Sequence, residues 1–189
     1  CIADLAGPIV TKNYRSRDIN RWIFVYSCLT TRAVHLELID DLTSESTLIA
    51  LQNTMNLRGA PKSIITDNGT NFVGAHNIMQ KAHLEWNKKL LEKGIIVVPI
   101  VWNFAPAKAP HMQGAIERVV GLVKTAINKM TTTLNKSHVK YNDFQLKAIL
   151  CEIIGLLNNR PLTMLPMTQL NGEYLTPNHF LIGRQNIQS

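Results

Sequence analysis

Hydrophobic and polar positions change period several times along this chain, and each change marks an element. Trp22 to Cys28 and Arg32 to Ile39 are rich in β-branched and aromatic residues, and the short polar link Leu29-Thr30-Thr31 separates them. That pattern predicts two strands joined as a hairpin. The apolar opening segment around Asp4 supplies a strand before them. Thr43 or Ser44 can cap a helix in which Leu48, Leu51 and Met55 share a face, and Gly59 followed by Pro61 predicts its end. Ser63-Ile64-Ile65-Thr66 then reads as a short buried strand with Asp67 at its end.

Further along, His76 to Lys93 places Met79, Ala82, Trp86 and Leu90 on one helical stripe, and Ile95 to Trp102 reads as another strand. Asn103 to His111 contains Pro106 and Pro110 among small residues, which predicts a loop leading into a helix near Gln113. Loops of this kind often gate active sites. In that helix Ile116, Val119, Val120, Val123, Ile127 and Met130 form an apolar stripe, leaving Glu117, Gly121, Lys124 and Asn128 on another face. Leu146, Ile149, Leu150, Ile153, Ile154 and Leu157 pattern a further helix for burial. Strands first, then helices alternating with strands, make an α/β pattern rather than an all-helical one.

With 189 residues, 46% of them hydrophobic, the chain suits one well-packed domain. The formal charge of +7 is uneven: eleven of the 20 basic residues but only four of the 13 acidic ones lie between Lys81 and Lys147. A basic half suits contact with a phosphate backbone, and equally a solvated lysine-rich surface. Cys1, Cys28 and Cys151 are scattered and lack close Cys/His pairing, which argues against a disulfide framework or zinc site and suits a reducing intracellular setting. The histidines do not cluster at ligand spacings, and His35 reads as structural. The longest apolar run, Ile95 to Trp102, is too short to cross a bilayer, and no signal peptide is evident. A start at Cys1-Ile2-Ala3, without methionine, is expected of a chain cut from a longer polypeptide.

Three carboxylates stand apart from this background: Asp4, Asp67 and Glu117. Hard divalent ions such as Mg²⁺ prefer a few carboxylate oxygens with water and substrate phosphate, and two such ions can clamp both oxygens of an in-line displacement. Lys124, two turns beyond Glu117 on the same helical face, can reach a phosphate. Each carboxylate also has a plainer reading. Asp4 before Leu5-Ala6-Gly7-Pro8 can initiate a turn, Asp67-Asn68-Gly69 is an ordinary hairpin-turn signal, and Glu117 can complement a helix dipole.

Taken in order, the motifs resemble the integrase catalytic core of retroelements, in particular that of BEL/Pao-type LTR retrotransposons. Asp4-Leu5-Ala6-Gly7-Pro8 looks like the first-aspartate motif, Thr31 to Glu37 like the third strand, and Asp67-Asn68-Gly69-Thr70-Asn71-Phe72 like the second-aspartate motif. Pro110-His111 through Glu117-Arg118 is similar to the loop-to-helix glutamate motif. Leu157-Asn158-Asn159-Arg160-Pro161-Leu162 and Thr176 to Arg184 look like two downstream motifs. The chain departs from the family's paired glycines and tryptophan before the glutamate, having Gln113-Gly114-Ala115-Ile116, and its Asp67 to Glu117 spacing is longer than in retroviral integrases.

The resemblance implies an RNase H-like fold, a mixed five-stranded sheet flanked by helices, as a single core domain over 1–189 with 140–189 a carboxy-terminal helical extension. It implies two successive phosphoryl transfers on DNA, 3′-end processing and strand transfer, with Asp4, Asp67 and Glu117 holding two Mg²⁺ or Mn²⁺ ions and no organic cofactor. Lys124, Arg118 and Asn71 become candidate DNA contacts. Element ends and target DNA are the expected partners, the enzyme is expected to work as a homo-oligomer in the nucleus with no membrane involved, and flanking zinc-binding and DNA-binding modules are expected outside these residues. Two other readings stay open: a domesticated or decayed DNA-binding or assembly module without catalysis, and an RNase H-like nuclease that cuts without joining.

Overall fold

The computed structural model describes residues 1–12, 15, 17–91, 99–105, 118–129, 141–164 and 174–186, apart from the side chains of 86–91 and 164. Five strands form one sheet in the order β3-β2-β1-β4-β5. β1 (Ile2–Lys12), β2 (Asp18–Ser27) and β3 (Val34–Ile39) are antiparallel neighbours. β4 (Ser63–Thr66) lies parallel to β1 and β5 (Val101–Phe104) parallel to β4. Parallel neighbours need crossover connections, and α1 (Ser44–Arg58) and α2 (Thr70–Leu91) supply them.

Local chemistry accounts for the element ends. The β2–β3 hairpin closes with Cys28 N donating to Ala33 O at 2.9 Å and Arg32 at φ 59°. Thr43 caps α1, its Oγ1 accepting from Ser46 N at 3.2 Å. Gly59, at φ 85°, ends that helix and donates to Met55 O at 2.8 Å. β1 bulges between Ala6 and Ile9, where a Cβ on Gly7 (φ 144°) would lie 2.8 Å from the Trp22 ring.

Side-chain alternation divides the apolar residues between two faces. On one face Ile2, Ala6, Ile23, Val25, Val34 and Leu36 pack with Val119, Val120, Val123 and Ile127 of helical residues 118–129 (α3), and with Ile149, Leu150, Ile153 and Leu157 of α4 (Asp143–Asn158). On the other, Ala3, Phe24, Tyr26, Ile39 and Ile64 meet Ala50 and Leu51 of α1 and Phe72 of α2. Beyond α4 come the two-stranded ribbon β6 (Thr163–Met164) with β7 (Tyr174–Leu175) and the short helix α5 (Pro177–Ile182). Among the described residues no helix is long and apolar enough to cross a membrane.

β2 starts at Asp18 rather than Trp22 and β3 at Val34 rather than Arg32, and two further boundaries near the site also differ from the sequence pattern. α2 begins at Thr70, not His76, and turns Phe72 and Ala75 inward while Ala82 is exposed. The last edge strand runs Val101–Phe104, so Asn103 and Phe104 belong to a strand and not to the following loop. Most of that loop, the Gln113 helix start and Glu117 lie outside the described residues.

Candidate active site

β1 and β4 are parallel neighbours with Ile2 paired to Ile65. Continuing that register by two residues sets Asp4, opposite Val25 inside β1, against Asp67, the residue just after β4. Neither aspartate therefore serves the plainer role open to it. Asp4 is inside a strand, and Asp67 opens a strand-to-helix link in which Val73 N already donates to Gly69 O at 3.0 Å.

Asp4 is partly buried, and its Oδ1 accepts from Leu5 N at 2.8 Å. Burial pushes its carboxyl above the usual carboxylate range, the Leu5 N–H and the Lys124 charge pull it back, and the Asp67 charge pushes it up again. Asp4 on β1 thus feels both the Asp67 carboxylate at the β4 end and the Lys124 ammonium on α3. Lys124 is exposed on α3, flanking the stripe of buried Val119, Val120, Val123 and Ile127.

Asp67 is exposed, with Oδ1 accepting from Gly69 N at 3.1 Å. The turn is crowded, since a Cβ on Gly69 would lie 2.5 Å from Asn71 Oδ1 and 3.0 Å from Asp67 Oδ1. Glycine is required there by close approach. Asn71, in the first turn of α2, is thereby brought beside Asp67. Arg118 is exposed where the described part of α3 starts, and Glu117 lies outside the described residues. Among the described residues no group of three His, Cys, Asp or Glu side chains is placed to hold a metal ion. The donors that are placed, two carboxylates facing one another, have the hard-oxygen chemistry that Mg²⁺ prefers.

Polar residues not singled out as functional carry much of the scaffold. Asn158 is 1% exposed, with Oδ1 accepting from Val34 N at 2.8 Å and Nδ2 donating to Val34 O at 2.9 Å. It finishes the outer edge of β3 as another strand would. Arg160 donates to Arg32 O at 2.6 Å and to Leu157 O, tying the end of α4 to the β2–β3 hairpin. Thr66 donates to Asp67 O at 3.0 Å and accepts from Trp102 Nε1 at 2.9 Å. A threonine after the two isoleucines of β4 was the sequence signal for that contact. An asparagine at the end of an apolar helical stripe was the signal for Asn158.

No protein-family model matches the chain, and no curated protein does. Solved structures do. One is the cryo-EM structure of the simian T-cell lymphotropic virus intasome in complex with PP2A regulatory subunit B56 gamma, with a TM-score of 0.62 and 16% identity over 99% of this chain and 55% of that one. This chain therefore spans about half the length of that intasome chain. The HTLV-2 integrase catalytic core domain in complex with magnesium matches in its trimeric form with a TM-score of 0.54 and 19% identity, over 92% of this chain and 90% of that one. Its dimeric form matches with a TM-score of 0.54 and 17% identity, over 97% and 94%. The chain has the RNase H-like fold, shared with retroviral integrase catalytic cores.

Proposed function

We propose that this chain is the catalytic core of a retroelement integrase of the BEL/Pao type, a polynucleotidyl transferase that processes DNA 3′ ends and joins them to target DNA. The observation that carries the proposal is the register that sets Asp4 against Asp67, with Lys124 in electrostatic reach of Asp4, in a fold shared with integrase cores. The whole 189 residues act as one core domain, with 140–189 as its extension.

Asp4, Asp67 and Glu117 are the residues that would hold two Mg²⁺ or Mn²⁺ ions. The fit rests on donor chemistry: among the described residues Asp4 accepts one hydrogen bond, from the Leu5 N–H, and burial and the Asp67 charge push it up against the opposing pull of Lys124, so a cation beside it is favourable. The solved HTLV-2 core is described in complex with magnesium. Such ions supply charge neutralisation at the phosphate under attack. The chain's own part is to hold the DNA in line: Lys124 and Arg118 meet backbone phosphates and Asn71 the strand beside Asp67, while the basic half adds non-specific affinity. Water and then a DNA 3′ hydroxyl are the attacking groups, so no protein nucleophile is needed. The solved HTLV-2 cores are described in trimeric and dimeric forms, and the functional form here is proposed to be a homo-oligomer; its seat on paired DNA ends in the nucleus belongs to the same proposal.

Labelled element-end DNA with the full-length integrase and Mg²⁺ or Mn²⁺ tests the proposal. Joined products are expected. Cleavage without joining assigns a nuclease, and neither product assigns a DNA-binding or assembly module. Asp67→Asn and Glu117→Gln should each lower joining by at least about a hundredfold while retaining DNA, as removal of a charge-stabilising group does. Full activity in either variant sinks the site assignment.

A further inference from the structure

Thr66 occupies a position that its side chain makes expensive. It is 2% exposed at the end of β4, where valine has the same shape, favours strands as well, and carries no hydroxyl to desolvate. The hydroxyl is fully used: it donates to the carbonyl oxygen of Asp67 and accepts from the indole of Trp102 on β5. The Thr66 carbonyl in turn accepts from Ala105 N at 2.8 Å, so its hydroxyl and its carbonyl are both tied to β5 or the residue following it.

The other flank of Asp67 is tied to the same strand. α2 begins three residues after Asp67, and in its second turn the His76 ring lies 5.3 Å from Trp102 and 5.4 Å from Phe104. Trp102 and Phe104 stack at 6.2 Å. The short link carrying Asp67 is therefore braced on both sides by one aromatic cluster, and among the described residues the Thr66 hydroxyl is what reaches from that cluster to the backbone of Asp67 itself.

We infer that Thr66 is a positioning residue for Asp67: bridging Trp102 and the Asp67 carbonyl, its hydroxyl holds the Asp67 carboxylate toward Asp4 for divalent-ion binding. The inference rests on the metal-site reading above and adds a residue that touches neither ion nor DNA. Outer partners of metal ligands commonly change affinity about 10- to 100-fold when removed. Rigid support of this kind is what turns two nearby carboxylates into a preorganised pair.

Mn²⁺ binding to the chain, followed by electron paramagnetic resonance without DNA, tests this independently of joining. Thr66→Val is expected to weaken Mn²⁺ binding by about tenfold, and Thr66→Ser, which keeps the hydroxyl, to stay within about threefold of the unaltered chain. Trp102→Phe, which keeps an aromatic ring and removes the indole N–H, is expected to lose about threefold, and it decides the matter should Thr66→Val fail to fold. Unchanged affinity in the folded Thr66→Val or in Trp102→Phe, while Asp67→Asn loses Mn²⁺, overturns the role of Thr66 and leaves the carboxylate site standing. An Asp67→Asn chain that binds Mn²⁺ as tightly as the unaltered one overturns both.

Discussion

Asp4 and Asp143 are aspartates on neighbouring elements of one packed face, and the fold treats them in opposite ways. Asp143, in the first turn of α4, receives Arg21 as a fork, with Nε 3.1 Å from each oxygen and Nη2 2.9 Å from Oδ2, and Thr11 Oγ1 donates to Oδ1 at 2.9 Å. Arg21, foremost, holds that carboxyl below its ordinary range, and the arginine is pushed up in turn, so both partners agree. Among the described residues Asp4 receives one backbone N–H and lies near the Asp67 charge, and its own carboxyl is pushed up, burial foremost. A carboxylate saturated with donors from β1 and β2 joins elements together. One left short of donors beside a like charge weakens the fold and is ready for a cation. The contrast separates structural from functional acid within one protein.

The largest effect after loss of joining falls on the saturated side. Asp143→Ala removes four donor contacts and leaves Arg21 the more distant Asp40, 3.4 Å away, and the charge of Asp41. Hydrogen bonds to charged groups suggest a loss near the middle of their usual range, about 2 kcal/mol once the 37% exposure of the carboxylate is allowed for. Thermal unfolding should then shift down by about 4–8 °C, and an unmoved midpoint would make the network incidental.

Asp4→Asn should move the midpoint the other way. A raised folded pKa means that the unfolded chain ionises first as pH rises, so ionised Asp4 weakens the fold above its folded pKa, and this burden is absent below the unfolded value of 3.8. Without metal at neutral pH the variant should melt up to about 3 °C higher. Added Mg²⁺ should stabilise the unaltered chain more than the variant. The sign reverses for Asp143: its contribution is present above the unfolded value of 3.8 and is lost as pH falls through its lower folded pKa. Acid titration followed by circular dichroism should therefore show a shallower acid-side loss in Asp143→Asn, and a smaller decline with rising pH in Asp4→Asn. Identical profiles for the two variants would erase the distinction.

The smallest effect concerns Lys124. Lys124→Ala should weaken DNA binding and flatten the slope of log affinity against log salt by about 0.9, as loss of one phosphate contact predicts. A slope equal to that of the unaltered chain returns Lys124 to a solvated face.

Much of this was legible along the chain. The Thr43 cap, the Gly59 stop, the four residues of β4 and the buried stripes of α3 and α4 follow from local period and end chemistry, which depend on few neighbours. The start of α2 was missed because Asp67-Asn68-Gly69 suits a hairpin as well as a strand-to-helix link. The inward Phe72 and Ala75 decide between them only once packing is known. The last edge strand was read as ending at Trp102 because Ile95 to Trp102 is apolar and β-branched; it runs on to Phe104, and residues 95–98 lie outside the described residues. Its hydrogen bonds go to Ser63–Thr66, and a strand extends only where its partner does. Glu117 was singled out on its motif, and the described residues do not include it.

Period, caps and the identity of three acids were determined by the residues alone, because these depend on contacts a few positions apart. That Asp4 faces Asp67 was decided only by tertiary structure. Nothing local links Ile2 to Ile65, and their pairing follows from filling both faces of the sheet at once, with α1 and α2 on one side and α3 and α4 on the other. The same packing that sets this register turns two ordinary turn-forming aspartates into one electrostatically coupled pair.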